Sequence, residues 1–339
     1  MLKLGVLDQS PLRKGGTTAD ALRETIELVK LTDKLGYERY WVAEHHSTDT
    51  FAGSAPEVLI PRLAAESKRI RVGSGGVMLM HYSPYKVAEA FNLMETLYPN
   101  RIDLGIGRAP GGTPLASMAL AYGNQIDIEY FPTKLKDLIA FLYGTEHATE
   151  QLSQLKATPL PAENTQPELW LLGSSEQSAV FAAYFGMGYS YAWFISPEAL
   201  EKSLEIYRAQ FKPAPYLEKP KVSIGVFAIC AETEEEANRL AGGRDLWRLR
   251  FLKNGQPGPY PSDEEVAAYE FTEQDQAMIA QGRRQVFTGT PGKVKTELEA
   301  FAAKYDADEL VILTICYDFE ARKRSYELLA EAFSESMAT

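Results

Sequence analysis

Short apolar runs alternate with longer segments of helical periodicity along almost the whole chain. The runs are bounded by Gly, Pro or polar residues, and their continuous apolar character is typical of strands buried on both faces of a parallel sheet. This pattern predicts strands at 2–8, 39–44, 70–75, 101–107, 168–175, 188–194, 221–230 and 308–316.

Between these runs, apolar residues recur with the period of an amphipathic helix. In the first such segment Thr17 or Thr18 is a suitable N-cap and Gly36 is a suitable stop. The segment 111–132, in contrast, has no regular pattern. The predicted helices cover 17–36, 55–67, 85–100, 131–144, 176–186, 197–211, 233–252, 291–306 and 319–336.

Strands that alternate with helices at this spacing predict a parallel sheet. The eight predicted strands, and the lack of a dinucleotide G-x-G-x-x-G motif after the first one, favour an α/β closed (β/α)8 TIM barrel over an open doubly wound sheet. We expect the whole chain, 1–339, to form a single domain. The polar segment 253–283, which contains Pro and Gly, is predicted as an insertion before the last helix–strand unit.

Composition supports a large folded core and excludes some partners. The chain has 339 residues, is 45% apolar and carries a formal net charge of −11, so it should repel nucleic acid and anionic membranes. No apolar run approaches the ~20 residues that span a bilayer, and the N-terminus lacks a signal-peptide pattern. We expect a cytoplasmic protein in which Cys230 and Cys316 are buried free thiols.

Candidate chemistry lies at the carboxyl ends of the strands, where barrels of this class place their active sites. The motif "AEHH" follows the second strand and contains His45. We consider three roles for this histidine: a metal ligand with Glu44, a structural hydrogen-bonded side chain, or an active-site group near its switching pKa. No second cluster with metal-ligand spacing accompanies the motif, so no metal site is predicted.

The motif "GSSEQS" opens the helix after the fifth strand with Ser174, Ser175 and Ser178. Serine at such a position is either an ordinary helix cap or part of an anion site, because free N–H groups and the helix dipole converge there. Arg108, at the end of the fourth strand, adds a charge suited to phosphate.

The stretch "VGSGGVMLMHYSP", residues 72–84, interrupts the third strand with Gly73, Gly75 and Gly76. Glycine weakens a strand interior and usually marks a bulge or a close approach of another group to the backbone. The glycines alone leave both of these alternatives open.

Together these strand ends resemble the bacterial luciferase-like flavin monooxygenase family. The resemblance is carried by "RYWVAEHH", by the block "IRVGSGGVMLMHYSPYKVAEAFNLMETLYPNRIDLGIGRAPG", and by "LWLLGSSEQSA" and "GTPGKV". It runs from Met1 to about residue 335, and the block 70–111 is its most specific part. The chain looks most similar to the single-chain members of unassigned substrate.

The resemblance implies an oxidoreductase that uses reduced FMN and dioxygen. In this family a flavin 4a-hydroperoxide oxidises a small organic substrate, here expected to be apolar. Because the chain contains no NAD(P)H fingerprint, a separate flavin reductase is the expected source of reduced FMN. The family also implies a homodimer and a mobile lid at 253–283, for which the alternative is a disordered insertion.

The same resemblance implies roles for individual residues. His45 matches the catalytic histidine, and Gly75–Gly76 matches a non-prolyl cis peptide under the flavin ring, with Ser74–Gly75 as the alternative position. Residues matching cofactor-binding positions are Ser74, Gly75, Gly76, Arg108, Ser174, Ser175, Ser178 and, near the ring, Trp193.

Two departures leave the reaction open. Gly107 stands where luciferase has a reactive cysteine, and Ser174 stands where it has a glutamate, so light emission is in doubt. The alternatives are a deazaflavin-dependent hydride-transfer enzyme and a flavin-binding protein without turnover.

Overall fold

The computed structural model describes residues 2–122, 128–162 and 165–334, and its strands form a closed parallel barrel. Neighbouring strands pair in the order of the chain, and the circle closes where the last strand pairs with both the first and the seventh. The fold class is thus confirmed as a (β/α)8 TIM barrel. The strands are β1 Lys3–Asp8, β2 Arg39–Val42, β3 Arg71–Met78, β4 Ile102–Gly107, β5 Glu168–Gly173, β6 Gly188–Ala192, β7 Val222–Cys230, β8 Val286–Gly289 and β9 Glu309–Leu313.

Most helices follow a strand and bury one face against the barrel or against a neighbouring helix, whereas α9 and α10 follow α8. Capping residues set their starts: Thr17 forms a capping box with Asp20 at the first helix, and Gly36 ends it in the left-handed conformation. No helix within the described ranges is long and apolar enough to span a membrane. The helices are α1 Thr18–Leu35, α2 Pro56–Glu66, α3 Pro84–Leu97, α4 Pro114–Ala121, α5 Phe131–Tyr143, α6 Glu176–Tyr184, α7 Leu200–Gln210, α8 Glu234–Asn254, α9 Asp263–Ala268, α10 Glu273–Arg283, α11 Pro291–Tyr305 and α12 Phe319–Ser334.

The structure differs from the predicted elements in two places. Helix α4 lies within 111–132, where no regular element was predicted, because its apolar residues are exposed on several sides and show no amphipathic period. The short strand β8 was also missed, and it pairs with Phe227–Cys230, beyond the part of β7 that pairs with β6. The last two residues of the predicted helix 319–336 lie outside the described residues.

The inserted segment 253–283 is helical rather than unstructured. It contains the end of α8 and the helices α9 and α10, each of the latter two opened by a capping box. Tyr260 anchors the segment through two hydrogen bonds. Its hydroxyl donates to the carbonyl of Ile315 at 2.9 Å, and its backbone N–H donates to the carbonyl of Leu12 at 2.7 Å. The segment is therefore attached to the loops after β1 and β9, and its role as a mobile lid stays a prediction.

A charged cluster fills the amino-terminal end of the barrel. Arg39 of β2 is fully buried, and its guanidinium pairs with Asp103 of β4 and with Glu309 of β9, the latter at 2.8 Å. Arg71 and Lys221 join the cluster through Asp103 and Glu168. Although burial by itself raises the pKa of Glu168, the charges of Arg39, Arg71 and Lys221 lower it to about 2.

Removing the central cation should destabilise the barrel strongly. Arg39→Met leaves Asp103 and Glu309 buried without their main counter-charge, so we expect a loss of about 3–5 kcal/mol in the free energy of unfolding, measured by urea denaturation. The matched control is Lys3→Met, which removes the exposed pair with Glu38 and should change stability by about 0–1 kcal/mol. Equal losses in the two variants would contradict this account.

Candidate active site

A cavity of about 610 Å³, called here the mouth cavity, opens at the carboxyl ends of the strands. Beneath it lies an aromatic layer in which the rings of Trp41 and Trp170 meet edge to face at 5.5 Å. All eight strands of the closed barrel contribute to its lining, through Leu7, Trp41, Gly75, Gly107, Leu172, Ser190, Gly225 and Val311.

One wall of the mouth cavity is bare backbone. The peptide bond Gly75–Gly76 is cis, as predicted, and it lies where the pairing of β3 with β4 shifts register. A Cβ atom at Gly76 would lie 2.8 Å from the carbonyl oxygen of Gly105, so that glycine is required by the close approach of the two strands. Gly75 lines the cavity. This wall can therefore accept a flat group against the backbone.

Ser74 has a structural role that the sequence did not reveal. Its hydroxyl donates to the carbonyl of Gly105 at 2.8 Å and accepts from the N–H of the same residue at 3.1 Å. The side chain is fully buried, and it is not part of the cavity wall. Ser74 thus joins β3 to β4 at the register shift, and only its backbone neighbours Gly75 and Gly76 face the cavity.

The serines after β5 form the amino terminus of α6. Ser175 is the N-cap, and Ser178 completes a capping box while its hydroxyl donates to the carbonyl of Ser175 at 2.6 Å. Ser178 is also 2.9 Å from the hydroxyl of Tyr189. All three serines line the cavity, but the Ser174 hydroxyl alone among them makes no side-chain hydrogen bond within the described part of the chain. Capping is thus observed for Ser175 and Ser178, the Ser174 hydroxyl is left without a partner there, and the anion site stays a prediction.

Arg108 lies in the same cavity wall, at the end of β4. It is half-buried, and the described residues offer it neither a hydrogen bond nor an ion pair. An unpaired guanidinium beside a helix amino terminus is suited to bind a dianion. The residues present therefore fit the phosphate of a flavin mononucleotide.

The structure does not bring Trp193 into the mouth cavity. Its indole packs against Phe287 and Phe301, with ring centroids 5.7 and 4.8 Å away. Phe194, the next residue, lines the cavity instead and contacts the ring of Phe227 at 5.7 Å. Neighbouring side chains at a strand end point to opposite sides, so the choice between them depends on where β6 stops.

His45 lies at the edge of the mouth cavity. Its ring packs on Phe51 at 4.5 Å, and its Nδ1 atom is buried without a hydrogen-bond partner among the described residues. Burial, and to a smaller extent the charge of His46, lowers the pKa of His45 to about 4. The imidazole is therefore neutral at physiological pH and can donate or accept one hydrogen bond.

Glu44 organises the loops around His45, a role that the sequence did not indicate. Its carboxylate accepts one hydrogen bond from the backbone N–H of Met78 at 3.0 Å and another from the hydroxyl of Tyr82 at 2.6 Å. The same carboxylate lies 2.7 Å from Nε2 of His46. Burial and this hydrogen bond raise the pKa of Tyr82. Within the described ranges, no group of three or more His, Cys, Asp or Glu side chains could hold a metal ion.

A second cavity, also of about 610 Å³ and called here the roof cavity, lies beside the first. The two cavities share His45 and Gly111 in their walls. Its aromatic side is formed by Phe51 together with Trp247 and Phe251 of α8, and the rings of Phe51 and Trp247 are 5.9 Å apart. His45 is thus the side chain through which the two cavities meet.

The sequence model of the family described as luciferase-like monooxygenase matches residues 2–307. The chain belongs to this family. The family resemblance inferred from the strand-end motifs is thus confirmed, and the protein is a luciferase-like oxidoreductase.

Individual members of the family resemble the whole chain. The N-acetyl-S-alkylcysteine monooxygenase of Bacillus subtilis is 37% identical over 334 residues, which cover 98% of each chain. The crystal structure of apo-MsnO8 is 38% identical, covers 98% of this chain and 99% of its own, and superposes with a TM-score of 0.87.

A more distant structure shares the fold. The oxygenating constituent of 3,6-diketocamphane monooxygenase, from the CAM plasmid of Pseudomonas putida and in complex with FMN, is 19% identical, with a TM-score of 0.74 over 98% of this chain and 97% of its own.

The low pKa of His45 should appear in the pH dependence of stability. Between pH 6.5 and about 4 the unfolded chain binds a proton that the folded His45 does not, so the free energy of unfolding should fall as pH falls through this interval. We expect His45→Gln to reduce this slope in urea unfolding curves. An unchanged slope in His45→Gln would disprove the assignment.

Proposed function

We propose that this luciferase-like protein is the oxygenase of a two-component system, which uses reduced FMN and dioxygen to oxidise a small organic substrate with an apolar body. The observation that carries the proposal is the mouth cavity itself. It combines a bare glycine wall at Gly75–Gly76 with an unpaired Arg108 and a free Ser174 hydroxyl at the amino terminus of α6. The glycine wall matches a planar ring, and the region of Arg108 and Ser174 matches a phosphate dianion.

In this proposal the isoalloxazine ring lies against Gly75 and Gly76, where a side chain would collide with the barrel. A Cβ atom at Gly75 would lie 2.6 Å from the end of the Leu7 side chain, so a larger residue here would require Leu7 to move. The phosphate lies at the amino terminus of α6, where Arg108 supplies the counter-charge. The FMN-bound oxygenating constituent from Pseudomonas putida, built on the same fold, supports FMN as the cofactor.

The bound flavin would supply the reaction with dioxygen, and the protein would supply binding, orientation and protection from water. His45 is the residue placed to act on the reacting groups, because it lies between the mouth cavity and the roof cavity. Its neutral imidazole would hold or accept a proton at Nδ1, the atom left without a partner. Tyr260 would keep the segment 253–283 over the site, and closure of that segment would exclude water.

Reduced flavin must come from elsewhere in this scheme. The chain carries no dinucleotide-binding motif, so we infer a separate flavin reductase as a partner, and a homodimer as the family resemblance implies. The name of the Bacillus subtilis relative, N-acetyl-S-alkylcysteine monooxygenase, makes thioethers suitable first candidates for substrates.

The choice of cofactor can be tested directly. Anaerobic titration with reduced FMN, and separately with a reduced deazaflavin, should show saturable binding of FMN and weaker binding of the deazaflavin. Admission of ¹⁸O-labelled dioxygen with candidate thioethers should then place one labelled oxygen atom in the product. Selective binding of the deazaflavin would favour hydride transfer, and FMN binding without oxygen uptake would favour a carrier protein.

Arg108→Ala should weaken FMN binding. Loss of one charge-assisted hydrogen bond to the phosphate should make the free energy of FMN binding less favourable by about 1.5–3 kcal/mol, measured by fluorescence titration of FMN. The control Arg23→Ala alters an exposed arginine on α1 and should bind FMN like the wild type. Unchanged affinity in Arg108→Ala would remove this residue from the site.

His45→Ala should separate binding from turnover. FMN affinity should stay close to that of the wild type, while product formation with a supplied reductase should fall by a factor of about 10²–10⁴, the usual contribution of a positioned proton-transfer group. The control is His147→Gln, which alters a histidine in the loop after α5 that lines neither the mouth cavity nor the roof cavity. If His45→Ala turns over at the wild-type rate, the catalytic assignment is wrong.

A further inference from the structure

The roof cavity is left without a ligand when the flavin takes the mouth cavity. Each of the two cavities has a volume of about 610 Å³, and their walls meet at His45 and Gly111. Three parts of the chain enclose the roof cavity: the loop after β2, the residues before α4, and the end of α8 with the turn that follows it. A molecule bound there would therefore lie next to the histidine that also borders the mouth cavity.

Three aromatic rings form one side of the roof cavity. The ring of Phe51 packs on His45 at 4.5 Å and meets the ring of Trp247 edge to face at 5.9 Å. The indole N–H of Trp247 donates to the carbonyl of Gly258 at 3.2 Å, which fixes the orientation of that ring. Phe251, one turn further along α8, lines the same cavity and is 52% exposed. Rings that face a cavity instead of the core provide contact area for an apolar ligand.

The polar side chains of the opposite wall are largely engaged by the loops themselves. The hydroxyl of Thr48 accepts from the backbone N–H of Thr50 at 3.0 Å, and the hydroxyl of Thr113 caps the first turn of α4. The Nε2 atom of His46 lies 2.7 Å from the carboxylate of Glu44. These groups stabilise the loops, so the roof cavity offers a ligand its shape and its apolar surface more than polar recognition.

The charges around the roof cavity disfavour an anion. Within the part of the chain that the structure describes, no lysine or arginine lines this cavity, and Asp49 contributes a carboxylate to its wall. Arg108, in contrast, lies in the wall of the mouth cavity. An anion in the roof cavity would lose water without gaining a cationic partner, and it would be repelled by Asp49. The two cavities therefore suit ligands of different charge.

We propose that the roof cavity binds the organic substrate as an uncharged molecule, whose apolar body lies against Phe51, Trp247 and Phe251. This inference rests on the proposed function and adds to it the location and the charge class of the substrate. The group to be oxidised would lie where the two cavities meet, beside His45 and Gly111. The cofactor phosphate and the substrate are thus bound in separate cavities.

An isosteric pair of thioethers tests the charge class. 4-(Methylthio)benzamide and 4-(methylthio)benzoate have the same body and differ in charge, so the ratio of their dissociation constants reports the preference of the site. Titration calorimetry on the full-length protein, both without cofactor and saturated with oxidised FMN, should show the amide binding about 10-fold or more tightly than the benzoate. Benzoate binding as tightly as the amide in the FMN-saturated protein would overturn the proposal.

Two adjacent residues of α8 test the location. Phe251→Ala removes a ring from the roof cavity, whereas Leu252→Ala removes a side chain of similar exposure, 49%, that lines a much smaller cavity between α8 and α10. Phe251→Ala should bind the amide about 3–10-fold more weakly than the wild type, because an aromatic contact is lost. Leu252→Ala should bind it like the wild type, and both variants should bind FMN like the wild type.

The same titrations distinguish this inference from the proposed function. If FMN displaces the amide, if Phe251→Ala binds it like the wild type, or if Leu252→Ala loses as much affinity as Phe251→Ala, the proposal is overturned. A protein that does not bind FMN would contradict the proposed function, and the titrations without cofactor would still decide whether the amide binds in the roof cavity. Neither reduced flavin nor dioxygen is needed for these measurements.

Discussion

The buried guanidinium of Arg39 is the interaction on which the barrel depends. It joins β2 to β4 and β9 at the amino-terminal end, where no solvent is available to stabilise either sign of charge. Gly5 on β1 leaves the space that this cluster needs, since a Cβ atom there would lie 2.7 Å from the Glu309 carboxylate. The lower half of the barrel is thus filled by ion pairs. The aromatic layer of Trp41 and Trp170 above it closes the core, so the upper half is left as a cavity.

The arginines at the two ends of the barrel differ in whether they have acidic partners. Arg39 is fully paired, as a structural charge must be when it is buried. Arg108, at the mouth, has no ion pair within the described ranges, and an unpaired guanidinium is suited to an anionic ligand. The imidazole of His45, also at the mouth, is kept neutral by burial. It can therefore accept a proton without first having to release one.

Local pattern and strand-end chemistry predicted much of the architecture and of the site. The alternation of strands and helices and the position of Arg108 at the cavity follow from short segments read one at a time, whereas the cis bond at Gly75–Gly76 followed from the family resemblance. The strand β8 was not predicted because four residues, three of them half-buried, carry little periodic signal. The family resemblance placed Ser74 and Trp193 at the flavin, yet the Ser74 side chain contacts the neighbouring strand and the Trp193 side chain contacts Phe301 on helix α11.

The sequence by itself determined the fold class, the family and the set of residues at the strand ends, because periodicity and short motifs are properties of contiguous residues. Only the tertiary structure decided which of those side chains face the cavity, as the exchange of Trp193 for Phe194 shows. It also decided that Glu44 binds three separate groups and that α8 brings Trp247 to the ring of Phe51. These facts depend on contacts between residues far apart in the chain, and no local pattern encodes which distant partner will satisfy or leave unsatisfied a buried polar group.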